Sequence, residues 1–390
     1  VGHTLGLRHN FKASSLYTLE EINSVDIRGK KPFTASVMDY NPVNFNMESG
    51  DVQGDFAMIG IGPYDYWAIE YGYTTGDTAE VLARAGEPAN AYLTDEDTNG
   101  PDPLAKRYDF SKDPLTYAEN QMRIVESLRA DLLNHFVEDG DSWSKARRGY
   151  ETTLRMQISA ASMMSDWIGG AHTNRNKKGD FGDEDIAPVQ VVPVAQQRAA
   201  LAFIVDNIFN EEAFALSPHL ITHFNVDKWY EGGGDSGEAT WPIHDRILGT
   251  QASMITSILA PSRLRMVADN EFMVAADEDA LTVAEVFQTL MDAIYSDMDT
   301  NGSWTNRQPM ISSFDRNLQA EMANRLVGLS TGKVSQSREV RSLALYHTRQ
   351  LYNDIGELLD DSNGLDTYSL AHLQDLHERL GKALDAVYTM

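Results

Sequence analysis

Val1-Gly2-His3-Thr4-Leu5-Gly6-Leu7-Arg8-His9-Asn10 opens the chain, and the rest of the reading follows from it. With a His-Glu pair set immediately before Val1, the stretch reads H-E-x-x-H-x-x-G-x-x-H. Two His four apart on a helix project from one face and can hold the same ion. Gly6 can take the left-handed backbone conformation that ends a helix and turns the chain. His9 then arrives from a loop and completes a three-His set. The open fourth position would hold a water made acidic by the metal, and the Glu would take its proton. Only His3, Gly6 and His9 belong to this sequence; the first His and the Glu are inferred. The expectation is therefore that the chain is the C-terminal piece of a longer one, with a helix stub at its start too short to hold itself together. Taken alone, H-x-x-G-x-x-H also fits a surface loop after a frayed helix end.

A second element follows about thirty residues later, as Ser36-Val37-Met38-Asp39-Tyr40. Met38 and, two residues on, Tyr40 follow the histidines in this order. Either residue by itself is more simply a core methionine or a buried aromatic. Order, spacing and residue type together favour the functional reading. A third element, Gly62-Pro63-Tyr64-Asp65-Tyr66-Trp67-Ala68-Ile69-Glu70-Tyr71-Gly72, reads as a short helix with Pro at its first position. Asp65 in its first turn suits the helix dipole and is given a structural role.

The segments HTLGLRHNFKAS, SVMDYNPVN, TDEDTNGPDP and VPVAQQRAALAFI resemble the bacterial zinc-dependent metallopeptidases of the metzincin type, with a Met-zincin-like domain and a long helical C-terminal extension. The resemblance implies zinc held by His3 and His9, Met38 as the Met-turn residue, Gly6 at the bend, and Tyr40 as an oxyanion holder or fifth ligand. It implies a peptide or protein substrate and an extracytoplasmic, periplasmic or secreted location, with a signal peptide upstream.

Composition sets outer bounds. Against 32 Lys and Arg stand 58 Asp and Glu, a net charge of −26, which repels phosphate backbones and disfavours nucleic acid as a partner. Cysteine is absent, which removes disulfides, thiolate metal sites and cysteine nucleophiles. No apolar run approaches the roughly 20 residues that span a bilayer. No G-x-S-x-G elbow and no phosphate loop occurs.

The expected fold is mainly α. Residues 1–80 are a partial metzincin C-terminal subdomain of loops and short helices. Residues 81–390 form a large helical region with a short β-hairpin, divided near 170–192 or at the glycine run 232–237. Helical spacing is expected over 117–137, 144–168, 193–210, 243–259, 280–296, 314–329, 336–360 and 366–388. The last carries Leu370, Leu373, Leu376, Leu380, Leu384 and Val387 as one apolar stripe.

Two acidic stretches match the start of a calcium loop: Asp95, Asp97, Asn99 and Asp102, and Asp297, Asp299 and Asn301. Neither has a Glu at the twelfth loop position, and an acidic turn that caps the next element is the commoner meaning. His219 and His223 have helical ligand spacing but no acidic partner motif, and read as ordinary partly buried histidines. The alternative to a zinc endopeptidase is a non-catalytic helical scaffold that binds proteins, with calcium as a stabiliser. An inactive relative that keeps the ligands but changes the Glu is a third reading.

Overall fold

Apolar residues recur at helical spacing through most of the sequence, and 56% of the chain is helical, with one two-stranded hairpin among the described residues. The computed structural model describes residues 1–47, 49–180, 186–227, 238–298, 302–360 and 364–387. Ten helices of ten or more residues occur among them: α1 Pro63–Tyr73, α2 Pro114–Ala130, α3 Ser144–Ser165, α4 Val194–Ile204, α5 Ile243–Ile258, α6 Pro261–Met273, α7 Val283–Ile294, α8 Ser313–Ser330, α9 Arg338–Asp360 and α10 Thr367–Val387. β1 (Ala171–Thr173) pairs antiparallel with β2 (Val189–Val191), with His172 opposite Gln190. The helix expected over 117–137 is broken after Ala130, and α6, which starts at Pro261, was not anticipated.

By its contacts the chain divides into two units, Val1–Leu128 with Ser159–Ala200, and Arg129–Ile158 with Leu201–Met390. This division does not coincide with the boundary expected after residue 80. The glycine run 232–237 lies outside the described residues.

The first unit is rich in loops that are tied down by buried polar groups. Asp65, 3% exposed, accepts from Gly62 N at 2.8 Å, Val37 N at 2.9 Å and Ser36 Oγ at 2.6 Å. One carboxylate thus starts α1 and anchors the segment that holds Met38, so its role is structural as expected. Ala13, Ala35 and Tyr64 form the local core beside it.

The second unit buries regular stripes. In α10, Leu373, Leu376 and Leu380 are fully buried, and α10 packs against α8 and α9, where Leu318, Met322, Leu326, Leu351 and Ile355 are buried too. Caps set several starts: Ser312 accepts from Asp315 N and Thr282 from Glu285 N.

Candidate metal centre

Residues His3–Leu5 form one 3₁₀ turn, and Gly6 follows with φ 87°. That left-handed backbone is accessible to glycine at no steric cost, and it sends the chain toward His9. The imidazoles of His3 and His9 come together, with centroids 4.9 Å apart and planes at 85°. His3 Nδ1 donates to the carbonyl of Leu7 at 3.0 Å. His9 Nδ1 donates to both oxygens of Asp95, each at 3.0 Å. A carbonyl or a carboxylate only accepts, so Nδ1 is the donor in both rings, and in the neutral ring Nε2 is then the lone-pair nitrogen. Such outer hydrogen bonds are what orient imidazole ligands on a metal.

Tyr40 Oη lies 3.1 Å from His9 Nε2. Met38 is 7% exposed, and its sulfur occupies the space that a side chain on Gly2 would need. Asn10 N donates to Met38 O at 3.1 Å, which joins the loop after His9 to the methionine segment. The structure therefore brings His3, His9, Gly6, Met38 and Tyr40 into one place. Among the described residues, no group of three His, Cys, Asp or Glu side chains converges where an ion could sit. Imidazole is a zinc ligand, and with Nδ1 bonded elsewhere in both rings, Nε2 is the nitrogen that each would offer.

Several participants were not assigned to this centre from sequence. Asp95 is held below the usual carboxylate range, chiefly by the hydrogen bond from His9, with Arg107 and Arg8 adding to it. Arg107 Nη2 lies 3.3 Å from Asp95, and its guanidinium stands 5.0 Å over the Phe11 ring, which stacks on His9. Tyr108 stacks on Tyr40 at 5.9 Å, and its N donates to Tyr40 O at 3.2 Å from a backbone with φ 64°. A left-handed conformation at a non-glycine residue is costly and concentrates at functional sites. Behind the turn, Asp39 accepts from Ser14 N at 3.1 Å and Tyr40 N at 2.7 Å, and burial pushes its carboxyl up to about 7. Burial also pushes up fully enclosed Asp109, and the nearness of Asp39 adds to this. From the sequence Asp95 is read for a different role, and Asp39, Arg8 and Phe11 stand in quoted segments without a role. Arg107, Tyr108 and Asp109 are ordinary residue types without a motif.

The first acidic stretch gives the calcium expectation no support. Asp95 serves His9 and Arg107. Asp97 caps Thr94 N and pairs with Arg175 at 3.0 Å. Asp102 takes Lys12 at 2.9 Å, Thr173 N at 2.9 Å and His172 at 3.2 Å. Asn99 closes the 3₁₀ helix Asp95–Asn99. These carboxylates point at separate basic or N–H partners and do not converge. In the second stretch Asp297 meets the carboxyl of Asp315, which is pushed up to about 6 by burial and by that neighbour. Asp299 and Asn301 lie outside the described residues.

Beside the histidine loop lies a cleft of about 1010 Å³, lined by Leu5, Leu7, Trp67, Tyr71, Tyr92 and Arg175 among others. Neither imidazole lines it. Tyr73 Oη donates to Leu5 O at 3.3 Å between cleft and loop.

The Met-zincin family profile matches residues 1–302. The chain belongs to the Met-zincin family. The match covers the metal-centre loop and the methionine turn, and it runs well past residue 80 into the helical region. It makes the metallopeptidase type of fold the frame for His3, His9 and Met38. No curated protein and no solved structure matches the chain.

Proposed function

We propose that a polypeptide carrying these residues behind an intact His-Glu pair is a zinc-dependent endopeptidase. The observation that carries this reading is the pair His3 and His9, 4.9 Å apart, each with Nδ1 committed to an acceptor and Tyr40 beside the Nε2 of His9. Zinc in such a site lowers the pKa of a bound water to about 7. His3 and His9 would hold the ion, Met38 would support the turn beneath them, and Tyr40 Oη would donate to the oxyanion of a peptide carbonyl. The motif places the first His and the Glu base on the two positions before Val1. The substrate class is a peptide or protein, and the location is extracytoplasmic. Among the described residues, no helix is long and apolar enough to cross a membrane.

The test uses the chain extended by His-Glu before Val1 and any upstream domain. Bound zinc is measured, and casein cleavage is followed with and without a chelator. One zinc per chain with chelator-sensitive cleavage is expected, lost on His9→Ala and reduced on Tyr40→Phe. An extended chain that binds no zinc would leave the protein-binding scaffold instead.

A further inference from the structure

His219 and His223 lie four residues apart, in the short helix Pro218–Ile221 and the turn that follows it. Their ring centroids are 4.7 Å apart, with planes at 71°. His3 and His9 stand in nearly the same relation, at 4.9 Å and 85°. The resemblance extends to the outer hydrogen bond. His223 Nδ1 donates to the carbonyl of His219 at 2.7 Å, as His3 Nδ1 does to that of Leu7 at 3.0 Å. In the neutral ring this leaves the lone pair on Nε2, the nitrogen a metal takes. The indole of Trp143 packs against His223 at 4.4 Å and limits its rotation. His219 is exposed rather than partly buried, so an ion reaches it from solvent.

We propose that His219 and His223 form a second metal site, a two-imidazole surface site for Zn²⁺ or Cu²⁺ with waters completing the coordination. Imidazole suits both ions, and the general affinity order puts Cu²⁺ first. Among the described residues no third His, Cys, Asp or Glu joins the pair, so it binds more weakly than a three-ligand centre. The site is separate from the histidine loop in sequence, and its test does not depend on the peptidase reading.

Trp143 supplies the readout. The 390-residue protein is titrated with CuCl₂ and with ZnCl₂, following tryptophan fluorescence and binding heat. The expected result is a Cu²⁺ quench whose amplitude falls in Trp143→Phe. Its midpoint should rise in His219→Ala and in His223→Ala by at least about tenfold, the low end of what loss of an outer-shell partner costs. His223→Gln, which keeps a polar side chain of similar size, should do the same, and circular dichroism should show all variants folded. A His3→Ala, His9→Ala double variant should keep the quench. A midpoint unmoved by removing both His219 and His223, or a quench abolished by the His3 and His9 changes, overturns the site.

Discussion

The sulfur of Met38 fills the volume that a side chain on Gly2 would occupy. Gly2 has ordinary right-handed dihedrals, φ −54° and ψ −48°, so space and not backbone strain demands a glycine there. The contact locks the turn bearing His3 onto the methionine beneath it. Gly2→Ala should destabilise the first unit by about 1–3 kcal/mol, as overpacking does. Calorimetry of Gly2→Ala, Met38→Ala and the double variant checks it. The double should lose less than the sum, and strict additivity would contradict the contact.

Asp95 grips Nδ1 of His9 with both oxygens at 3.0 Å, so its removal should free the ring. Long-range nitrogen–proton NMR should show His9 as the Nδ1–H tautomer in the wild type and a mixture in Asp95→Ala. In a chain with the complete motif, zinc affinity should fall by about 10–100-fold. An unchanged tautomer with unchanged affinity would remove Asp95 from the centre.

His372 sets a pH dependence in the second unit. Its Nε2 donates to Gln319 Oε1 at 2.9 Å. Burial, with Arg316 and Arg379 nearby, lowers its pKa from 6.5 to about 4. Between those values the unfolded chain binds a proton that the folded chain does not. Stability from this group is therefore complete above pH 6.5 and is lost as pH falls toward 4. The loss is at most about 3 kcal/mol. Urea unfolding across this window should show a steeper decline in the wild type than in His372→Gln, and equal slopes would sink the assignment.

Asp102 is 5% exposed and ties Lys12, Leu104 N, His172 and Thr173 N together. Burial alone would raise its carboxyl; the hydrogen bond from His172 and the charge of Lys12 bring it down to about 2. Asp102→Ala should cost about 3–5 kcal/mol, because it strands a partly buried ammonium. Excess CaCl₂ should not raise the melting temperature of the wild type, since these oxygens already have partners. A calcium-dependent rise would restore the calcium loop.

Long periodic elements were legible in the sequence because one face of each must be buried. The stripe Leu373, Leu376, Leu380 is visible at helical spacing and is buried as that spacing requires. The pair Ala171–Thr173 and Val189–Val191 likewise matches the short β-hairpin expected within the helical region. The break after Ala130 was not legible, because the apolar spacing continues through Leu132 and Phe136 while the backbone turns at Asp131 with φ −137° and ψ 46°.

The sequence by itself determined the residue types, order and spacing of the centre: His3, Gly6, His9, then Met38 and Tyr40. Those are local facts, since a left-handed glycine and a fixed number of intervening residues limit where two imidazoles can go. Only the tertiary structure decided which carboxylate orients His9, because Asp95 lies 86 residues away and its sequence context reads equally well as a calcium loop. It also decided that Asp97 and Asp102 meet Arg175 and Lys12. A carboxylate accepts from whatever donor the fold brings near it, and spacing along the chain carries no record of that donor.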